Sequence, residues 1–112
     1  MKIYHNPRCR KSREGVQYLT DKKLNFKIFD YLKEGVSEDD IKSILKNLNM
    51  SAIEIVRKNE KIWKDNFKGK ELKEEQIISI LCEEPKLIER PIIVHKNKAV
   101  IGRPKENIDN LL

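Results

Sequence analysis

A chain of 112 residues is the size of one domain and can bury an apolar core without disulfides or a structural metal. Hydrophobic and charged residues each make up 38%, a balance that argues against a disordered chain and for a soluble globule with a heavily charged surface. The net charge of +6 favours anionic partners, nucleic acid or small oxyanions alike.

Lys2 to His5 reads as a short strand, and Asn6-Pro7 breaks it, because proline lacks an amide donor and biases the residue before it away from helix. From Cys9 onward Val16 and Leu19 follow an amphipathic helix, with Leu24 beyond it. Phe26, Ile28 and Tyr31 then fall near a strand pattern around NFKIFDY. Strand, helix and strand make a βαβ unit.

Ser37-Glu38-Asp39-Asp40 resembles a capping box, followed by Ile41, Ile44, Leu45 and Leu48 at helical spacing. Ser51-Ala52-Ile53-Glu54 repeats the signal and opens a shorter helix reaching Arg57. Lys58 to Lys70 is too polar to assign. Lys73 to Glu84 is a helix with Ile77, Ile80 and Leu81 on one face, closed by Pro85, and Leu87 and Ile88 form a short turn. Pro91 to His95 and Ala99 to Gly102 are strands joined by a Lys96-Asn97-Lys98 turn, a hairpin. Pro104 opens a last helix from its first position, with Ile108, Leu111 and Leu112 apolar. The order βα, β, helical middle, ββα implies a single α/β domain over residues 1–112 with a mixed sheet.

Cys9 follows a strand and a proline turn and begins a helix, where backbone amides and the helix dipole favour a thiolate. Arg8, Arg10, Lys11 and Arg13 flank it, and nearby cations lower a thiol pKa; so polar a neighbourhood does not suit a buried, inert cysteine. His5 either hydrogen-bonds the turn or, if protonated, assists the thiolate. Ser12 completes a Cys-x-x-Ser pattern in which a second cysteine would have been a resolving thiol, so reduction has to come from an external thiol; a serine there also serves helix-start amides.

Arg57, Arg90 and Arg103 are candidate oxyanion ligands, since planar guanidinium groups bind tetrahedral oxyanions through paired hydrogen bonds. Taken singly, each also fits a solvated charge, and spacing alone does not group them. Arg90-Pro91 is a candidate cis peptide, although trans is the default. Cys82 sits beside Glu83 and Glu84, which disfavour a thiolate, and reads as structural. Two distant cysteines without a histidine cluster argue against a zinc site and, in a reducing compartment, against a disulfide. Trp63 and Phe67 at helical spacing read as packing rather than a base-stacking platform, which makes nucleic acid a poor partner. No apolar run approaches the roughly 18–20 residues of a membrane span, and the first residues lack a signal-peptide core, so a cytoplasmic location is expected.

Taken together, Ile3 to Arg13, Arg57-Lys58-Asn59, Glu89 to Val94 and Ile101-Gly102-Arg103-Pro104 resemble the glutaredoxin-coupled arsenate reductase (ArsC) family, in the family's order and over essentially the whole chain. The resemblance implies a thioredoxin-like fold, its βαβ and ββα halves separated by a helical insertion. It implies that Cys9 attacks arsenate or a similar oxyanion, that Arg57, Arg90 and Arg103 hold it, and that glutathione and glutaredoxin complete reduction to arsenite, with no bound cofactor or metal. It further implies a cis Pro91 beside the cysteine and supporting roles for His5 and Ser12. A monomer is expected. Arg10-Lys11 stands where well-studied members carry a small uncharged pair, and the chain lacks their longer C-terminal tail. Two alternatives remain: an Spx-type regulator that binds RNA polymerase, generally with Cys-x-x-Cys in place of Cys9 to Ser12, and a monothiol protein that forms mixed disulfides with glutathione.

Overall fold

A computed structural model describes residues 1–112. Contacts within it form two compact units, one made of Met1–Glu34 and Arg90–Leu112 and the other of Gly35–Glu89.

In the first unit, strand β1 (Lys2–His5), helix α1 (Arg10–Asp21) and strand β2 (Lys27–Asp30) form the expected βαβ unit, β1 and β2 running parallel. The hairpin strands are β3 (Ile92–His95) and β4 (Lys98–Ile101), and the sheet order is β2-β1-β3-β4. β3 is antiparallel to both neighbours. Register decides which apolar side chains meet: Ile3 lies opposite Ile28 and Ile93, and Ile93 opposite Val100. Because side chains alternate across a sheet, this row shares one face, where Ile3 and Ile93 form a core with Leu19 of α1 and with Ile108 and Leu111. Ile28, at the β2 edge, stays 54% exposed.

Three boundaries differ from expectation. β2 stops at Asp30, whose carboxylate Oδ1 accepts the Lys33 amide at 3.3 Å, so Tyr31 begins a one-turn helix, α2 (Tyr31–Glu34), and is buried there. The hairpin turn is Lys96-Asn97 alone, with Lys98 already paired to His95; Lys96 takes the left-handed φ of 57° that a tight turn demands. The last helix, Lys105–Leu111, is 3-10 throughout, and Pro104, with an extended ψ of 161°, is its cap rather than its first residue.

The second unit is helical: α3 (Glu38–Leu48), a 3-10 turn at Ala52–Ile55, α4 (Lys61–Asn66), α5 (Glu74–Glu83) and a 3-10 turn at Pro85–Leu87. Ser37 caps α3 reciprocally, its hydroxyl accepting the Asp40 amide at 3.1 Å while the Asp40 carboxylate accepts the Ser37 amide at 3.2 Å. The helix expected from Ser51 to Arg57 is a single 3-10 turn, since Val56 leaves it to bridge Ile88. Polar composition hid α4, which forms because Trp63 is buried and stacks near Phe67, ring centroids 5.5 Å apart. No helix is long and apolar enough to cross a membrane.

Candidate active site

β1 ends at His5 and the chain turns through Asn6, Pro7 and Arg8 before Cys9, the N-cap of α1. Asn6 holds this turn. Its side-chain oxygen accepts the Arg8 amide at 3.0 Å and its carbonyl accepts the Cys9 amide at 3.0 Å. Arg13, one turn into α1, donates to the Pro7 carbonyl at 3.0 Å. The sequence reading passed over Asn6 as a breaker, although an asparagine that bonds its own backbone two residues on is a known turn device.

Ser12 is fully buried and joins strand to helix. Its hydroxyl oxygen accepts the Asn6 amide at 2.9 Å and shares a 2.7 Å hydrogen bond with His5 Nδ1. Capping of helix-start amides, the local role open to Ser12, is not the one seen: its hydroxyl serves the strand end instead. Burial lowers the His5 pKa and Arg13 adds to this, outweighing the opposing pull of Asp30 and Ser12. Both effects favour the neutral ring, which through its bond to Ser12 acts as a turn-holding group.

The Cys9 sulfur is half-buried, and burial pushes its pKa up. The Arg90 side chain and the backbone amides of Ser12 and Lys11 more than reverse this, leaving the thiol below its ordinary value. Cys9 makes no regular capping bond through its side chain, yet the open amides of α1 favour the charged form. The cations next to Cys9 in sequence are engaged elsewhere, contrary to expectation. Arg10 and Lys11 reach Glu14, at 3.4 Å and 3.5 Å, and Arg13 is turned to Pro7. On a helix, side chains one and two positions apart leave in different directions.

The effective cations come from the other end of the chain. Arg103 Nη2 donates to Cys9 Sγ at 3.5 Å, and Arg90 is buried. Arg103 Nε is also buried and has no acceptor in the chain. The loop carrying Arg103 is secured by Asn107, whose side-chain amide donates to the carbonyls of Ile101 at 3.0 Å and Arg103 at 3.3 Å. Arg90-Pro91 is cis, and so is Arg103-Pro104, which the sequence did not suggest. Pro91 is packed between two glycines: a Cβ on Gly15 would stand 2.9 Å from Pro91 Cγ, and one on Gly102 would stand 3.1 Å from it. Both glycines went unremarked as contacts, since close approach between distant segments leaves no local pattern.

Arg57 belongs to the second unit, where its amide donates to the Leu87 carbonyl at 2.7 Å and its guanidinium lies 3.4 Å from Glu60. Cys82, in the same unit, has its thiol pKa raised by burial first and then by Glu38, Asp40 and Glu83. Its acidic surroundings were foreseen, but α3 supplies two of the three carboxylates. No group of three or more His, Cys, Asp or Glu side chains is placed to hold a metal.

The ArsC family model matches residues 4–111. The chain belongs to the ArsC family. This member is 41% identical to the uncharacterized protein YfgD of Escherichia coli over 96% of its own length and 92% of the relative's. It is 35% identical to an arsenate reductase of Haemophilus influenzae over 98% and 97% of the two chains. Among solved structures, an arsenate reductase from Vibrio cholerae superimposes with a TM-score of 0.94 at 33% identity, covering 100% of this chain and 98% of that one. The ArsC-family chain thus has the thioredoxin-like fold that the resemblance implied, and its mixed four-stranded sheet agrees with the element order.

Proposed function

We propose that the protein is a thiol-dependent oxidoreductase that reduces arsenate, or a similar tetrahedral oxyanion, through Cys9. The observation that carries this reading is the pairing of an acidified thiol with a guanidinium 3.5 Å away whose buried Nε lacks an acceptor. A buried donor without a partner costs free energy until an acceptor reaches it, and a tetrahedral oxyanion offers acceptors to both arginines while its charge is neutralised. The names of the Haemophilus influenzae and Vibrio cholerae relatives support arsenate as the oxyanion.

In this reading the Cys9 thiolate attacks arsenic(V), a protonated oxygen leaves as water, and a sulfur–arsenic bond forms. A glutathione thiolate then bonds to the Cys9 sulfur and the sulfur–arsenic electron pair departs on arsenic, giving arsenite and a mixed disulfide. Two thiols are oxidised as arsenic gains two electrons. Glutaredoxin returns Cys9 to the thiol, in keeping with Ser12, which is not a resolving sulfur and is tied to His5 and Asn6. Arg90 and Arg103 bind the oxyanion; His5, Ser12 and Pro91 hold the turn and helix that aim the sulfur. The role of Arg57 rests on its Arg-Lys-Asn motif alone. A monomer in the reducing cytoplasm completes the proposal.

Purified protein with glutathione, glutaredoxin and arsenate should form arsenite, Cys9→Ser should form none, and Arg103→Ala should raise the KM for arsenate at least tenfold. Absence of turnover in the wild type, or turnover that survives Cys9→Ser, would overturn the proposal.

A further inference from the structure

The turn that precedes Cys9 also forms one wall of a groove in the first unit, lined by Asn6, Pro7 and Arg8 on one side and by Asp30, Leu32 and Lys33 on the other. Its volume of about 290 Å³ lies at the lower edge of the roughly 300–1,000 Å³ usual for small-molecule sites. That excludes a large cofactor and suits a ligand of a few residues. The three charged side chains of the lining are Arg8, Lys33 and Asp30, two cations and one anion, while Leu32 is 40% exposed.

We propose that this groove is the subsite for the small-thiol co-substrate, a short peptide thiol with two carboxylates and one ammonium group, as glutathione has. The assignment rests on the reading of Cys9 as a thiol that is resolved by an external thiol. Charge complementarity carries it: Lys33 and Arg8 match the two carboxylates, Asp30 matches the ammonium, and Leu32 offers apolar surface to the methylene groups. Arg8 of the lining is the residue next to Cys9 in the chain, so a thiol held in the groove lies beside the turn that carries the sulfur, and the side chains across from that turn then set which thiols are accepted. Lys33 and Asp30 are specificity residues in this assignment, touching the co-substrate and not the reacting sulfur.

Thiol–disulfide exchange tests the groove without any oxyanion. The Cys9 thiolate attacks one sulfur of glutathione disulfide, a mixed disulfide forms, and a glutathione thiolate leaves, with no further oxidant required. The rate is compared with that for bis(2-hydroxyethyl) disulfide, which is uncharged, by mass spectrometry of the Cys9 adduct in a Cys82→Ser background. Wild type is expected to prefer glutathione disulfide, and Lys33→Ala and Asp30→Asn should each cut that preference about three- to tenfold, the worth of an ion pair of roughly 1 kcal/mol. The rate with the uncharged disulfide should hold. An unchanged preference in both variants would overturn the groove assignment, as would equal losses with the two disulfides, which would mean that the substitutions act on thiol reactivity. Should only reduction by glutaredoxin slow, the groove serves a protein reductant and the small-thiol assignment fails. Failure of arsenate turnover leaves every one of these outcomes readable.

Discussion

At Cys9, burial raises the thiol pKa and the Arg90 side chain with the Ser12 and Lys11 amides reverses it; at Cys82, burial and three carboxylates all act in the raising direction. Alkylation by iodoacetamide follows the thiolate fraction, so Cys9 should be modified with a midpoint below that of a free thiol and Cys82 with a midpoint above it. Peptide mass spectrometry across pH 5–10, a range about the ordinary thiol value of roughly 8.5, separates the two. Arg90→Gln should move the Cys9 midpoint upward, and coincident midpoints for both cysteines would refute the electrostatic account. Ser12→Ala should destabilise the fold by about 1–3 kcal/mol, because the buried Asn6 amide and the His5 ring both lose a partner; urea denaturation measures it. Cys9, Arg90 and Arg103 could be picked out in the sequence because a thiol and guanidinium groups carry their chemistry with them. The hydrogen bonds of Ser12 could not, for they depend on where the strand end meets the helix.

Among the elements, α3 was legible down to its cap, since a serine followed by acids and an apolar stripe is a local signal that the reciprocal Ser37–Asp40 bonds fulfil. α4 was not, because it depends on burying one tryptophan in an otherwise polar stretch. α1 lies between these cases. Its start was clear from the proline turn, whereas its contact with Pro91 through Gly15 was hidden. Gly15→Ala puts a methyl group 2.9 Å from Pro91 Cγ and 3.4 Å from Ile3 Cδ1. Overpacking of this kind costs about 1–3 kcal/mol, and the better helix propensity of alanine recovers about 1 kcal/mol. A net loss is expected in thermal unfolding, together with slower alkylation of Cys9 as Pro91 and the adjoining Arg90 shift. A more stable variant with unchanged Cys9 reactivity would show that the contact relaxes freely.

For the molecule as a whole, His5 couples folding to pH. Its pKa is lowered in the folded state, chiefly by burial, so below the ordinary value of about 6.5 the unfolded chain binds a proton that the folded chain refuses. The stabilisation is complete above that value and is lost as pH falls through it toward the folded pKa. Urea midpoints between pH 7.5 and 5 should therefore drop more steeply for wild type than for His5→Gln, and equal slopes would remove His5 from the linkage. Composition, the proline-cysteine turn, the capping box and the β-branched hairpin, all of them local signals, determined the order βα, β, helical middle, ββα, and with the spaced arginine motifs they sufficed to indicate the family. Tertiary structure alone decided that Arg103, 94 residues away in sequence, meets the Cys9 sulfur while neighbouring Arg10 and Lys11 do not. Which cation reaches an atom is set by strand register, turn geometry and helix phase acting together, and none of these is encoded at a single position.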